Sequence, residues 1–392
     1  MSHPKSRYYW IHSAVLSVSL IAMPACGFAQ EPRNLQDKRD QIAVSTDLEM
    51  IYRKTESATS ISDYSSIFDF CRNIAGDSTR SQDDKRYART LMSWAANRRG
   101  EARSDRAGIL VREQQLSQAQ ELDALALKDF EYAAQLDPQR WRAHHNIAII
   151  YALQKNNKAA IEKFDTVIKL NPEFADAYFN RSGIHFLNND FELSIDDLNK
   201  AIELKPKDAA AYSARAHSFY ATGKSEDALA DYEKAMELSP DSCEAATEYA
   251  DTCQALGKWK EAATAYQRAM QLDGQSARTF QNAAWMMATC PDDFYRNGDT
   301  ALETAQIAVQ LSSAPSSVHV LDVLAAAQAA SGDFLSAERT VAEALRSTTD
   351  ATLRSELQMR GRQYQRKKPF VQPSHVGKAN AVSKSATAVK RR

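Results

Sequence analysis

The chain has 392 residues, a length sufficient for two or three ordinary domains. It contains only 12 glycines and 11 prolines, which fits an all-helical chain. The formal net charge of −1 gives no reason to expect a nucleic-acid partner, and no stretch after residue 29 is apolar enough to cross a membrane.

The first 29 residues have the organisation of a secretory signal peptide. Lys5 and Arg7 supply positive charge, and the apolar run from Ala14 to Met23 is too short to span a bilayer comfortably as a helix. Gly27-Phe28-Ala29 places small residues where a signal peptidase cleaves, with Gln30 as the first mature residue. The sequence therefore predicts an exported protein, periplasmic or extracellular.

Two alternatives for the N-terminus stay open. The apolar run could remain as an uncleaved anchor, or Cys26 could be the modified residue of an envelope lipoprotein. Both alternatives keep the protein at the cell envelope.

The residues that follow predict helices. Residues 30–82 form an N-terminal helical region, because large residues recur at helical spacing: Leu48, Ile51, Tyr52, Tyr64, Ile67, Phe68 and Cys71. Residues 83–140 are predicted to be a helix pair with long extensions, since the middle is rich in Gln, Glu and Arg and free of proline.

From residue 138 onward, prolines recur at a fixed interval of 34 residues. Pro138, Pro172, Pro206 and Pro240 recur at this spacing, and Gly274 takes the next place. A period of this length marks a solenoid in which each repeat is one supersecondary unit. The predicted units are 141–174, 175–208, 209–242 and 243–276.

Small residues fill equivalent columns in these units. With proline numbered 32, positions 8, 20 and 27 are nearly all small, which predicts close contact between helices. The columns read Ala148, Ser182, Ala216, Ala250, Ala284; Ala160, Ser194, Ala228, Ala262; and Val167, Ala201, Ala235, Ala269. Position 24 holds the large residues Phe164, Leu198, Tyr232 and Tyr266.

The turn inside each unit is also predicted. Gly223, Gly257 and Gly332 supply a residue that can take positive φ after the first helix. Asn156-Asn157 and Asn188-Asn189 are predicted to replace glycine in two units. Each unit is therefore an αα-hairpin, with a first helix A and a second helix B.

This pattern resembles the tetratricopeptide repeat (TPR) family. The resemblance implies an all-α fold of the α-α superhelix class, with about eight helix pairs, and residues 30–82 as a degenerate first repeat. Residues 277–315 continue the pattern with a loop insertion and residues 316–350 form a further repeat. Residues 351–366 are predicted to be a capping helix, and residues 367–392 a basic disordered tail.

The resemblance also implies where a ligand binds. In the family, positions 2, 5, 6, 9, 12 and 13 of helix A line a concave groove. The residues at or near these positions predict a peptide-binding groove: His145, Asn146, Phe179, Asn180, Gly183, His217, Tyr220, Glu248, Asp251, Gln281, Asn282 and Trp285.

Three properties are expected of that groove. The asparagines at position 6 (Asn146, Asn180, Asn282) can pair with a peptide backbone, although local packing is an equally good interpretation. Phe179 and Trp285 can anchor apolar side chains. The acids Glu248 and Asp251 would favour basic ligands.

One variant of the family is not expected. Repeats that clamp a C-terminal carboxylate use cations at set positions, and here only Asn180 fits; those positions hold His145, Ile149, Asn180, Ala210 and Ala214.

Motifs of catalysis and of cofactor binding were not found in the sequence. Cys253 and Cys290 lie where a disulfide is conceivable, but small buried side chains are the better interpretation. The histidines of neighbouring A helices are too far apart to predict a metal site. We therefore predict no enzyme activity and no cofactor.

The predicted function is a non-catalytic scaffold that binds a protein or an extended peptide in the bacterial cell envelope. Two alternatives are an envelope assembly lipoprotein, and an accessory or carrier protein for an anionic glycan or cell-wall polymer. The second rests on charge, because residues 357–392 carry ten Lys and Arg and no acid.

Overall fold

Helices form all the regular secondary structure of the part of the chain that is described. The computed structural model describes Leu35 and residues 44–373, in which there are seventeen helices and no strand. None of the described helices is both long and apolar enough to span a bilayer. The predicted signal peptide, residues 1–29, and most of the predicted tail, residues 374–392, lie outside the described residues.

The chain divides into two units at Pro206 and Lys207. The described helices of the N-terminal unit are α1 (Thr46–Thr55), α2 (Ile61–Gly76), α3 (Gln82–Arg112), α4 (Leu116–Leu136), α5 (Trp141–Leu153), α6 (Asn157–Leu170), α7 (Ala175–Leu187) and α8 (Phe191–Leu204). Consecutive helices pair, and in each pair the odd-numbered helix is helix A.

The C-terminal unit continues the same alternation. Its helices are α9 (Ala209–Ala221), α10 (Ser225–Leu238), α11 (Cys243–Ala255), α12 (Trp259–Leu272), α13 (Ala277–Thr289), α14 (Gly298–Leu311), α15 (Val318–Ala330), α16 (Phe334–Arg346) and α17 (Ala351–Gln365). With eight pairs and the final helix α17 in the described residues, the predicted all-α class of the α-α superhelix is confirmed.

The small columns lie where helices A and B meet. Ala148 and Ala160 are fully buried and share one apolar cluster with Phe164. In the C-terminal unit, Ala216 and Ala228 are likewise fully buried and share one apolar cluster with Tyr232. A methyl side chain at both contact positions lets the helix backbones approach, and the large residue of position 24 fills the space beside them.

Glycine closes the inner turns as predicted, but one asparagine turn differs. Gly223, Gly257 and Gly332 have φ of 80°, 73° and 95°. Asn189 also takes positive φ, at 65°. In the turn between α5 and α6, where Asn156-Asn157 was expected to replace glycine, Lys155 has positive φ, at 60°. The reason is that the Asn156 side chain accepts a hydrogen bond from the Ala159 backbone N–H and caps α6.

The longest helices, α3 and α4, have 31 and 21 residues. Asp129 of α4 joins them, because Arg99 Nη2 donates to its Oδ1 at 2.7 Å and Arg103 Nη1 donates to its other oxygen. Further along, Ala107, Leu110 and Ala119 form a small apolar cluster between the two helices.

The C-terminal end corrects the prediction of a tail disordered from Lys367. Lys367 has φ of 54°, and the Lys368 N–H donates to the carbonyl of Gln363, so that the chain reverses after α17. Residues 368–373, which we call the strap, then run back over α13. Sequence composition predicted disorder here, whereas the side chains of Phe370 and Gln372 have partners on α13.

Candidate functional site

The twelve residues predicted to line a groove divide into two groups by burial. Half of them are buried: His145, Asn180, His217, Glu248, Gln281 and Asn282. The others are partly exposed: Asn146, Phe179, Gly183, Tyr220, Asp251 and Trp285. We call the set of the N-terminal unit, on α5 and α7, the N-terminal A face, and the set of α9, α11 and α13 the C-terminal A face.

On the N-terminal A face, the side chains of His145 and Asn180 lie at hydrogen-bond distance from each other. Asn180 Nδ2 lies 3.3 Å from His145 Nε2, while Asn180 Oδ1 is buried without a hydrogen-bond partner. The His145 ring also packs edge-on against Phe174, with centroids 5.0 Å apart. Burial lowers the pKa of His145 to about 4, so the ring is neutral at pH 7 and can accept the amide proton.

Asn146 on the same face reaches the long helix α3. Its Nδ2 donates to Asn97 Oδ1 at 3.3 Å and to Glu101 Oε1 at 3.4 Å. Glu101 in turn accepts from Arg98 Nη1 at 2.7 Å. Sequence analysis did not include Asn97 and Glu101 in the site, because the long extensions predicted within residues 83–140 put the first helix of this pair out of step with the 34-residue numbering.

Asp251 is the centre of the C-terminal A face. It accepts hydrogen bonds from Tyr266 Oη at 2.6 Å, from Arg278 Nη2 at 3.0 Å and from Asn282 Nδ2 at 2.9 Å. Burial raises the pKa of Asp251, although Arg278 and these hydrogen bonds oppose the shift. The carboxylate of α11 is therefore surrounded by donors from α12 and α13.

His217 and Glu248 form a buried ion pair beside this network. His217 Nε2 lies 3.2 Å from Glu248 Oε1, and its Nδ1 is 2.7 Å from the carbonyl oxygen of Ser213. Burial lowers the pKa of His217, but Glu248 outweighs it and the net shift is upward. Burial raises the pKa of Glu248, but His217 outweighs it and the net shift is downward.

These pairings change the electrostatics expected of the groove. Glu248 was expected to draw basic ligands together with Asp251, but Glu248 is paired with His217 and Asp251 with Arg278. Each acid thus has a basic side chain from a neighbouring A helix at hydrogen-bond distance. The sequence showed the acids but not which cations face them.

The position-6 asparagines also have partners inside the protein. The amide nitrogens of Asn146, Asn180 and Asn282 all lie at hydrogen-bond distance from groups of a neighbouring A helix. Local packing, the second interpretation of these residues, therefore accounts for their N–H groups. Among these amide groups, the carbonyl oxygen of Asn180 is buried without a hydrogen-bond partner.

Trp285 carries an aromatic partner from the strap. The Phe370 ring lies 5.9 Å from the Trp285 ring, and the Arg360 guanidinium is 5.5 Å from Trp285 and 5.4 Å from Phe370. Arg360 Nη2 is held by Asp322 Oδ2 at 2.8 Å. Sequence analysis predicted Trp285 as an apolar anchor but did not identify Arg360, Asp322 or Phe370.

The strap also forms hydrogen bonds with the last turn of α13. The backbone N–H of Gln372 donates to the carbonyl oxygen of Thr289 at 2.8 Å, and Gln372 Nε2 donates to Thr289 Oγ1 at 2.7 Å. The last carbonyls of a helix have no partner within it, so they are available to another chain segment.

Metal-ligand clusters and disulfides are both absent from the described residues. Among residues 44–373, no group of three or more His, Cys, Asp and Glu is arranged to hold a metal ion. The cysteines Cys71, Cys243, Cys253 and Cys290 are free, so the conceivable Cys253–Cys290 disulfide is not formed. Burial raises the pKa of Cys71 to about 12 and that of Cys253 to about 11, which keeps both thiols protonated.

Comparison with solved structures returns helical repeat proteins. The chain is similar to PilF of Pseudomonas aeruginosa (19% identity, 58% of this chain and 96% of that chain, TM-score 0.47) and to yeast Tom70 (15%, 92% and 72%, TM-score 0.44). It is also similar to YrrB, a TPR protein with an unusual peptide-binding site (19%, 49% and 95%, TM-score 0.41). Comparison with curated proteins returned no match.

Family models match the repeats directly. Residues 142–174 and 213–277 match tetratricopeptide repeat models, and residues 183–223 match a TPR repeat model. These segments include α5–α6 and extend from α7 to α12, the helices that carry most of the two A faces. The chain is a tetratricopeptide repeat protein.

Proposed function

We propose that this protein is a non-catalytic scaffold that binds extended peptide segments of other proteins on its A faces, in the bacterial cell envelope. Tetratricopeptide repeats in general form scaffolds for protein–protein interaction. The observation that carries the proposal is the position of the strap on α13. This segment of the chain already lies there, with the Phe370 ring against Trp285 and a backbone hydrogen bond from Gln372 to Thr289.

The division of the A faces by burial supports the same function. The buried pairs His145–Asn180 and His217–Glu248 hold neighbouring A helices together. Partly exposed side chains lie beside them on each face: Asn146, Phe179 and Gly183 on one, and Tyr220, Asp251 and Trp285 on the other. A pre-organised surface with aromatic groups left accessible suits the capture of a peptide at low entropic cost.

Site-specific photo-crosslinking tests this proposal in intact cells. Benzoylphenylalanine replaces the partly exposed aromatic residues Phe179 and Tyr220, one on each A face, and Phe294 serves as the control. Phe294 is 85% exposed on the loop between α13 and α14, so it reports random encounters. We expect defined peptide adducts at Phe179 or Tyr220 in several-fold excess over Phe294. Equal yields at all three positions would refute binding on the A faces.

Export rests on the sequence of residues 1–29. Lys5 and Arg7, the apolar run and the small residues before Gln30 support a cleaved signal peptide, and hence a periplasmic or extracellular location. The lipoprotein alternative differs in one respect, since lipid on Cys26 would tether the scaffold to the envelope.

A second candidate function is the binding of an anionic glycan or cell-wall polymer. It is favoured by the charge of residues 374–392, which include five Lys and Arg and no acid. Removal of residues 374–392 spares the strap and separates the two functions. Loss of co-sedimentation with envelope material, together with unchanged crosslinking at Phe179 and Tyr220, would assign polymer binding to the tail alone.

A further inference from the structure

The strap presents its side chains in alternation, as an extended segment does. Phe370 and Gln372 face α13 and have partners there, whereas Pro369, Val371 and Pro373 are exposed. Both prolines disfavour helical backbone in the residue before them, which is Lys368 in one case and Gln372 in the other. The strap's own sequence therefore disfavours helical backbone at two of its six residues.

The surface beneath the strap provides two subsites. The first is the aromatic subsite, formed by the Trp285 ring and the Arg360 guanidinium, which is positioned by Asp322. The second is the hydrogen-bonding subsite, formed by the carbonyl and hydroxyl oxygens of Thr289. Thr289 Oγ1 donates its own proton to the carbonyl of Trp285 at 2.6 Å, so it is left as an acceptor for an incoming N–H.

The subsites match the strap by chemistry that another peptide can supply. An aromatic ring stacks on an indole and a guanidinium whatever chain carries it. The backbone N–H that meets the Thr289 carbonyl belongs to any residue except proline. Selectivity comes from the side chain two residues after the aromatic residue, which has to donate to the Thr289 hydroxyl as Gln372 does.

Two side chains of the strap, Phe370 and Gln372, make its contacts with the helices. In the described residues both hydrogen bonds from the strap to α13 come from Gln372 and end on Thr289. The Phe370 ring contacts Trp285 and Arg360, and it packs against an apolar cluster that includes Leu321 and Tyr364. The strap is joined to α17 by a turn in which Lys367, a residue other than glycine, takes positive φ. A short tethered segment competes at high effective concentration, even when only two of its side chains contact the helices.

We propose that the strap is an intramolecular ligand that closes this end of the C-terminal A face, and that a partner displaces it with an extended segment carrying an aromatic residue followed two positions later by glutamine or a similar donor. This rests on the proposed function and adds to it a partner motif and a means of regulation. Binding of the partner then releases residues 368–373 from α13.

The test uses the full chain and the strap sequence as the probe. A fluorescein-labelled peptide with the sequence of residues 367–374 is titrated by anisotropy against the natural chain, the variant Phe370→Ala/Gln372→Ala, and the matched control Val371→Ala/Pro373→Ala. The control alters the same segment at side chains that face away from α13. We expect the Phe370→Ala/Gln372→Ala variant to bind the peptide at least about tenfold more tightly than the natural chain, and the control to behave like the natural chain.

Adding Trp285→Leu to the Phe370→Ala/Gln372→Ala variant is expected to remove peptide binding. Equal affinity of the natural chain and the variant, or binding that survives Trp285→Leu, would overturn the proposal. If circular dichroism shows that the Phe370→Ala/Gln372→Ala variant is misfolded, hydrogen exchange of the natural chain takes the place of the anisotropy titration. Excess unlabelled peptide should then increase exchange in residues 368–373, and unchanged exchange would contradict displacement.

This result is separable from the proposed function. Adducts at Phe179 and Tyr220 together with a negative peptide titration would refute the role of the strap and leave the scaffold function in place. Absence of adducts at those positions would refute the scaffold function, whatever the strap peptide does.

Discussion

Arg181 of α7 donates two parallel hydrogen bonds to the carboxylate of Asp197 of α8. Arg181 Nε lies 2.8 Å from Asp197 Oδ2, and Arg181 Nη2 lies 2.6 Å from Oδ1. One period further along the chain, Arg215 of α9 holds Asp231 of α10 in the same way, at 2.8 Å for both bonds. In two units, an arginine of helix A therefore pairs with an aspartate of helix B that lies sixteen residues later in the sequence. We call this Arg–Asp pair the clamp.

Breaking this clamp on one side should destabilise the N-terminal unit. We expect Asp197→Ala to lower the free energy of unfolding by roughly 3 kcal/mol, because the guanidinium stays largely buried without its main carboxylate. The matched control is Asp165→Ala, since Asp165 also accepts from Arg181 but its side chain is 54% exposed. That change should cost less than about 1 kcal/mol. Equal losses in urea denaturation would show that the clamp does not depend on burial.

The small columns make a second prediction. Ala228→Phe and Ala262→Phe should each cost about 1–3 kcal/mol or more, since both methyl groups are fully buried between helices. Ala230→Phe on the same helix α10 is the control, because Ala230 is exposed. Melting temperatures followed by circular dichroism compare the three variants. A normal melting temperature for Ala228→Phe would mean that helices A and B do not pack here as described.

The His217–Glu248 pair predicts a pH dependence of stability. His217 has a pKa above its ordinary 6.5, so its contribution is complete below that pH and is lost as the pH rises through the raised value. Glu248 has a pKa below its ordinary 4.5, so its contribution is complete above that pH and is lost on acidification. The pair therefore stabilises the protein most between pH 4.5 and 6.5.

The conservative variant His217→Gln measures that effect. The stability difference between the natural chain and His217→Gln should be larger at pH 5.5 than at pH 8.5 by on the order of 1 kcal/mol, as obtained from urea denaturation. Glu248→Gln should flatten the same profile, because it removes the charge that raises the pKa of His217. A difference that is independent of pH would show that the pair is not an ion pair.

Export predicts a defined N-terminus. Mass spectrometry of the protein from its native source should find Gln30 at or near the start, and fractionation should find it outside the cytoplasm. Lipid on Cys26 would support the lipoprotein alternative instead. An intact Met1 in a cytosolic fraction would refute export.

Periodicity explains why so much of the fold could be predicted. A 34-residue interval, small columns that fall between helices and glycines at the inner turns are local features of each repeat, and each repeat packs mainly on its neighbours. Gly223 and Gly257 take positive φ as expected for that reason. Lys155 is the exception, because a capping bond of Asn156 competed with the intrinsic preference of asparagine.

Partners between repeats could not be read from the same pattern. Periodicity places Glu248 and Asp251 on an inner face, but it does not say that His217 and Arg278 of neighbouring A helices neutralise them. Those pairings depend on the distance and rotation between packed helices, which side-chain packing determines in three dimensions.

The sequence by itself determined the repeat, the helix pairs and which residues share one side of helix A, because all three follow from short-range spacing along the chain. Only the tertiary structure decided what occupies that face. Gln372 meets Thr289 across 83 residues of sequence, and Phe370 meets Trp285 across a similar separation. Composition indicated disorder in the strap, since a short, basic, proline-containing segment has little core of its own. The surface of α13 and the neighbouring apolar cluster of α15–α17 supply the contacts that order it.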